Sequence, residues 1–318
     1  MKIGILQPDV TRIGGSISTT LQFADCFKEL GHTVKIHSSF NGRFQIKLID
    51  KKEKVLEYYD CKHLTMEDFI WDLRISNNYD LCFTRKILQP NVSHVKNIIW
   101  AILPNEVKSN NNLIEFWTNS KTTKSKMNKN FQKKVVIVPA PHDYSVFRKN
   151  IQKEKKYDIV SILRGNDFNQ KGIPLYAKMV KKLKRKSLLI TTYTNDNDLK
   201  KIKKLRVPYV LNKTRTQIAK ILGQSKFFFF PSYNESCPLV IYEAMNSGLT
   251  IVSRDVGAVI EQLDGNGYIF ENDDGAYKKL NYALDNPLDC DTIIKRGMFF
   301  DRKNLLSLIE KRLKNVKK

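Results

Sequence analysis

At 318 residues, with 42% apolar positions and 17 Phe, the chain can bury two ordinary cores, which excludes wholesale disorder. Lys and Arg number 55 against 32 Asp and Glu, a net charge of +23 that points to anionic partners: lipid head groups, nucleic acid or phosphorylated acceptors. No apolar run approaches the ~20 residues of a membrane-spanning helix. The apolar part of MKIGILQPDV is too short for a signal peptide, and five cysteines (Cys26, Cys61, Cys82, Cys237 and Cys290) without C-x-x-C spacing argue for a reducing cytoplasm and against zinc or disulfide frameworks.

In chain order, KIGIL (2–6) reads as a strand, and GSISTTLQFADCFKELG as a helix carrying Ile17, Leu21, Ala24, Phe27 and Leu30 at helical spacing, with Gly31 as its stop. TVKIH (33–37), YDLCF (79–83), NIIWAIL (97–103) and IEFWT (114–118) are further strands, SKTTKSKMNKNF is a polar helix, and KVVIVPAP closes the first half. Residues 44–60 break the pattern and read as a hairpin or irregular insertion. The alternation restarts with YDIVSIL (157–163), the helix IPLYAKMVKKLKR, SLLITTY, NDLKKIKKL, PYVL, TRTQIAKILG, KFFFF and PLVIYEAMNSG, ending on LTIVS (249–253).

Strand and helix taking turns predicts an α/β architecture with parallel sheets. Proline and charge replace periodicity in 139–156, so the boundary falls there. We expect a Rossmann-like domain over 1–145, a second over 146–300 and a C-terminal helix over 301–318 packing on the domains, most simply as a cap on the second. Two such domains would face each other across a cleft, with the loops at the carboxyl ends of their strands turned toward it. The basic excess concentrates in 148–230, with 22 basic against 5 acidic residues, notably in KKLKRK (181–186) and KKIKKLR (200–206). Solvated helix faces explain such runs about as well as a polyanion surface does.

Three loops carry candidate chemistry. Gly14 and Gly15 in PDVTRIGGS stand between the first strand and helix, where bare backbone lets N–H groups approach an anion; a plain turn explains them equally. LRGNDFNQKG (163–172) places Arg164 and Lys171 before a helix, a fork and a point charge suited to a diphosphate, though two solvated cations are the simpler alternative. PSYNESCPLVIYEAMNSG (231–248) puts Asn234, Glu235 and Ser236 in a strand-to-helix loop, Pro238 in the first helical turn and Glu243 one to two turns on. Carboxylates at that separation can each grip hydroxyls of a polyol rather than share a proton, and beside a diphosphate cradle they fit a nucleoside diphosphate sugar. Cys237 has no paired histidine and reads as a spectator, His94 and His142 as structural, and Asp196, Asp198, Asp273 and Asp274 as helix caps.

These residues resemble the family-four glycosyltransferases of the GT-B fold over nearly the full length. The most specific match is the E-x7-E pattern of NESCPLVIYEAMNSGLTIVSRDVGAVIEQL; LRG…QKG, GGS, FWTNSKTTKSKM and VPAPHDYSVF match further family segments. The resemblance implies that Glu243 binds the donor ribose and Glu235 the hydroxyls of the transferred sugar. Arg164 and Lys171 would hold the diphosphate, Gly14 and Gly15 would line the cleft, and the backbone at Ser236, Cys237, Pro238 and Leu239 would touch sugar or phosphate. It implies retention of anomeric configuration, no metal and no cofactor beyond the donor, so Glu235, Arg164 and Lys171 become the catalytic set. Cys237-Pro238 departs from the glycine that many relatives carry there, which removes one expected backbone N–H.

The leading expectation is thus a retaining, metal-independent hexosyltransferase moving a sugar from a UDP- or GDP-sugar to a saccharide, lipid-linked or other anionic acceptor. It would be cytoplasmic and peripheral on an anionic membrane face, with nucleic acid the weaker partner and oligomeric state open. The rivals are a catalytically silent GT-B scaffold that binds nucleic acid or envelope, a nucleic-acid-modifying transferase, and an epimerase or hydrolase on the same fold. The joint presence of Arg164, Lys171, Glu235 and Glu243 favours transfer.

Overall fold

A computed structural model describes residues 1–9, 14–39, 64, 66–68, 78–84, 96–101, 114–192 and 195–316. The insertion at 44–60, His94, Cys61 and the segment preceding Gly14 in the first loop lie outside the described residues. The chain divides into one unit of Met1–His142 with Phe300–Lys318 and a second of Asp143–Phe299.

In the first unit β1 (Lys2–Asp9), α1 (Gly15–Glu29), β2 (Thr33–Ser39), β3 (Met66–Asp68), β4 (Leu81–Thr84), β5 (Lys96–Trp100), β6 (Ile114–Thr118) and β7 (Val135–Ile137) form, among the described residues, one parallel sheet in the order β3-β2-β1-β4-β5-β6-β7. The predicted polar helix is two short ones, α2 (Lys121–Ser125) and α3 (Lys129–Gln132), because Ser120 and Asn128 each cap a new start through their side-chain oxygens. The apolar face of α1 buries Phe23 and Phe27 on the sheet, where Phe23 lies 4.9 Å from Phe83 and 6.0 Å from Trp117, ring centre to ring centre.

The last helix, α12 below, does not cap the second unit. The chain returns to the first, where Arg302 donates to Asp25 Oδ2 (3.0 Å) and its backbone N–H to the carbonyl of His142 (2.8 Å). His142 itself is buried against the Thr19 hydroxyl at 3.0 Å, a structural position as its sequence context suggests.

The second unit begins with α4 (Ser145–Lys149) and continues through β8 (Tyr157–Arg164), a single 3-10 turn (Gly165–Asp167), α5 (Ile173–Leu183), β9 (Ser187–Thr192), α6 (Asp196–Lys204), β10 (Tyr209–Leu211), α7 (Arg215–Gly223) and β11 (Ser225–Phe230). There follow α8 (Leu239–Asn246), β12 (Thr250–Arg254), α9 (Val259–Leu263), β13 (Tyr268–Phe270), α10 (Asp273–Asp285) and α11 (Cys290–Met298) before the chain returns as α12 (Arg302–Val316). Its sheet is parallel in the order β10-β9-β8-β11-β12-β13. Phe227 to Phe230 are all buried, as a central strand covered on both faces requires. The helix caps at two of the expected positions are the preceding asparagines: Asn195 accepts from Asp198 N–H and Asn272 from Gly275 N–H. The aspartates follow in the first turn, where they face the positive end of the helix dipole.

Strand order reverses between β8 and β11, and in open α/β sheets that reversal opens a crevice at the carboxyl ends of the strands. The loops leaving β8 and β11 are the two that carry Arg164–Lys171 and Asn234–Glu235. The basic runs go elsewhere. Lys181, Lys182, Lys184, Arg185 and Lys186 close α5 and lead into β9, while Lys203, Lys204 and Arg206 close α6 and lead into β10; all are exposed. In a parallel sheet the starts of the strands lie at the edge opposite their ends, so this cluster is remote from the switch-point loops.

Because Asp25 is buried and pairs with Arg302, Arg302→Ala should cost about 2–3 kcal/mol of stability by removing a charged hydrogen-bond donor from the carboxylate. Urea unfolding of the full chain checks this, and an unchanged midpoint would detach the C-terminal helix from the first unit's energetics.

Candidate functional site

The switch-point loops of the second unit are locked backbone to backbone. Gly172 has φ 68°, and a Cβ there would lie 2.3 Å from the carbonyl oxygen of Pro231. Only glycine combines that left-handed conformation with so close an approach. Next to it the Tyr233 N–H donates to the Gln170 carbonyl at 2.8 Å. A third loop closes in from β12: Gly257, φ 56°, would place a Cβ 2.4 Å from the Ser236 carbonyl, which accepts from the Ala258 N–H at 2.7 Å.

On this frame Lys171 Nζ donates to Glu235 Oε1 at 2.7 Å and to the Asn234 carbonyl at 3.2 Å. Glu235 Oε1 also accepts from the Ser232 hydroxyl at 2.9 Å. Both members of the ion pair keep 17% of their side-chain surface exposed, enough for a ligand to reach either. Arg164, at the end of β8, lies instead beside Asp167, with 3.6 Å between Nε and Oδ2. The structure therefore brings Lys171, Glu235 and Ser232 together and leaves Arg164 paired within its own loop. Ser232 and Gly257 were not singled out from sequence, although Ser232 lies in the quoted PSYNESCPLVIYEAMNSG stretch, three residues ahead of Glu235.

Pro238 is the residue before the helix rather than in its first turn, with φ −71° and no side-chain cap. Having no N–H of its own, it sits ahead of Leu239, and α8 presents the positive end of its dipole to the loop. Its carbonyl accepts from the Gln262 side chain at 3.0 Å, which fixes the helix entrance. Glu243, in the second turn of α8, is partly buried and makes no side-chain hydrogen bond among the described residues. Burial pushes its carboxyl above the usual range, with the Arg215 guanidinium pulling the other way. Arg215 is held near by stacking over Phe147 at 5.1 Å and Tyr144 at 5.5 Å. Burial also raises the Cys237 thiol to about 12, against a 3.5 Å contact with the Tyr242 hydroxyl, so at neutral pH it stays protonated and is no nucleophile.

In the first unit Gly14 precedes α1 in extended conformation (φ −174°), which any residue adopts, and nothing lies within 4 Å of a Cβ built there. Its glycine is thus not demanded by the local fold. Gly15 opens α1, and its carbonyl accepts from the Thr19 hydroxyl at 2.8 Å. Among the described residues no group of three or more His, Cys, Asp or Glu is placed to hold a metal ion, and no helix is long and apolar enough to cross a membrane.

Two Rossmann-like units in one chain, the second with its polar loops at the switch point, define the GT-B class of α/β proteins, and known structures agree. A glycosyltransferase from Rickettsia africae ESF-5 superposes with TM-score 0.74 at 15% identity, covering 100% of this chain and 98% of that one. HepE from Anabaena, solved in complex with UDP-glucose, gives 0.75 at 14% identity over 99% and 100%. Sucrose-phosphate synthase from Thermosynechococcus elongatus gives 0.72 at 14% over 99% and 98%. A comparison with curated protein sequences finds no match. Residues 156–286 match the family model described as "Glycosyl transferases group 1".

Gly172→Ala should destabilise the protein by roughly 2–3 kcal/mol or more, since both the positive φ and the Pro231 carbonyl oppose a side chain. Chemical unfolding checks it; a wild-type midpoint would mean the two loops are not locked.

Proposed function

We propose that the chain is a retaining glycosyltransferase that takes its sugar from a UDP-sugar, with a GDP-sugar as the alternative donor, and passes it to a saccharide or lipid-linked acceptor. The observation that carries the reading is the pairing of Lys171 with Glu235 at the switch point of a domain that matches the group 1 family model, with Glu243, which makes no side-chain hydrogen bond among the described residues, on the helix that follows. The choice of UDP draws support from HepE, a structural relative solved with UDP-glucose.

In this reading the donor diphosphate takes Lys171 and Arg164 from their carboxylates and lies against the N-terminus of α8, along the backbone of Ser236, Cys237 and Leu239. Glu235, released from Lys171, accepts from hydroxyls of the transferred sugar, and Glu243 accepts from the ribose. As the bond between anomeric carbon and diphosphate oxygen breaks, the acceptor oxygen bonds to that carbon from the same face. The acceptor's proton passes to a diphosphate oxygen, so the leaving group serves as the base. Positive charge aimed at the departing diphosphate is then the main catalytic contribution, supplied by the chain's own cations and helix dipole without a metal.

The basic edge of the second unit lies away from these loops, so its charge serves attachment rather than recognition of the reacting acceptor. An anionic membrane surface fits it, placing the enzyme peripherally on a cytoplasmic face; the described cysteines are all free thiols, as suits that compartment.

Calorimetry with UDP tests the donor site. Wild type should bind, and Glu243→Gln should lose roughly tenfold or more in affinity, the worth of hydrogen bonds to a charged acceptor. The sign for stability is opposite. A carboxyl whose pKa is raised by folding is harder to ionise folded than unfolded, so its charge costs stability above the unfolded value and nothing well below it. The neutral Gln should therefore match or exceed the wild-type Tm at neutral pH. UDP affinity should fall with acidification from a pH above the ordinary glutamate range in wild type but not in the variant. Equal UDP binding by both proteins would remove Glu243 from the donor site. Separately, binding to phosphatidylglycerol vesicles should collapse as salt rises and weaken in Lys203→Glu/Lys204→Glu; salt-insensitive binding would reject the basic edge as the contact.

A further inference from the structure

The second unit holds a pocket of about 510 Å³ that the donor reading leaves unused. Its apolar lining is Pro174 and Leu175 at the start of α5 together with Tyr233. One face of the Tyr233 ring carries the Arg254 guanidinium 4.0 Å from its centre, yet the residue remains 46% exposed. The phenol is fixed as well: its hydroxyl bonds to Asp273 Oδ1 and Oδ2 at 2.9 and 2.8 Å, and Asp273 also pairs with Arg254. The result is an exposed aromatic platform held from behind and at its tip. Around it stand the side chains of Asn169, Gln170 and Lys178, all exposed and without a side-chain partner among the described residues.

The chemistry of this lining selects a ligand class. A rigid aromatic face packs on the C–H face of a sugar ring. Two amides that both donate and accept, an ammonium and a carboxylate edge meet hydroxyls in any orientation. The carboxylate of Asp273 opposes an anionic ligand, and Lys178 with Arg254 opposes a cationic one. Three apolar lining residues are too few for a lipid tail or an amphipathic helix. A neutral polyhydroxylic ligand fits all of these features at once.

We propose that the Tyr233 pocket is a saccharide-binding subsite, separate from the nucleotide-sugar site, which holds a sugar ring of a glycan chain. It adjoins the donor loops, since Tyr233 is hydrogen-bonded to Gln170 beside Lys171 and precedes Glu235 by two residues. The proposal rests on the glycosyltransferase reading only for the presence of a glycan in the reaction; the pocket's own composition argues the ligand class.

Saturation-transfer NMR and calorimetry on the full chain, with glucose, maltotetraose, cellotetraose and chitotetraose as probes and UDP saturating, test it. At least one oligosaccharide should bind in the presence of UDP, with Kd on the order of millimolar. Tyr233→Ala should weaken it at least tenfold while UDP affinity stays within about twofold, which also shows that the variant is folded. Tyr233→Phe, which keeps the platform, should retain most of the binding. Failure of every probe to bind, displacement of the saccharide by UDP, or unaltered binding in Tyr233→Ala would each overturn the subsite. Saccharide binding that depends on Tyr233 in a protein that ignores UDP would instead sink the donor reading and leave the subsite standing.

Discussion

The contact on which the site depends is steric: the Pro231 carbonyl occupies the space that a side chain on residue 172 would need. It joins the loops after β8 and β11, neighbours in the sheet yet more than fifty residues apart in sequence, and the Gln170–Tyr233 backbone hydrogen bond repeats the tie. Lys171 and Glu235 face each other because the residues beside them cannot move apart. The ion pair is then the adjustable part of the site. A partly exposed pair gains little net energy after desolvation and side-chain ordering, so it can be exchanged by a ligand that brings both anionic oxygens for the lysine and donors for the glutamate. The rigid backbone supplies position, and the weak pair supplies exchangeability.

The alternation of strands and helices was legible in the chain because each element is long enough to show its period. Phe227–Phe230 read as a buried strand from composition alone, and the helix over residues 15–29 from the spacing of its apolar positions. Of the three-residue strands, β7 and β10 lie in the apolar runs KVVIVPAP and PYVL and were legible, whereas β3 (MED) and β13 (YIF) lie in no such run and were not. Nor could sequence assign the last helix to the first unit, where Arg302 meets the buried Asp25 277 positions away and Leu305, Ile309 and Leu313 are buried.

Within the site, the two glutamates eight apart and the Arg–Lys loop stood out because residues on one or two short segments carry them. What was hidden is pairwise and long-range. Gly257 matters through the Ser236 carbonyl, and Tyr233 through Asp273, forty positions on. Arg215 acts on Glu243 from the start of another helix. Each is a property of loops converging at one end of a sheet, and no local pattern encodes which member of a loop turns toward which neighbour.

The distribution of charge completes the physical picture. At the carboxyl end of the second unit's sheet three cations are matched by carboxylates: Lys171 with Glu235, Arg164 with Asp167, Arg254 with Asp273. At the opposite end Lys184, Arg185, Lys186, Lys203, Lys204 and Arg206 have no carboxylate partner among the described residues. A protein of net charge +23 draws every polyanion toward it. An unmatched cationic cradle at the donor loops would be filled by any phosphate. A self-neutralised one admits only a ligand that offers enough charge and enough hydrogen bonds to displace two carboxylates at once, and under the proposed reading a diphosphate carrying a sugar would offer both, its hydroxyls giving the displaced Glu235 a new set of donors.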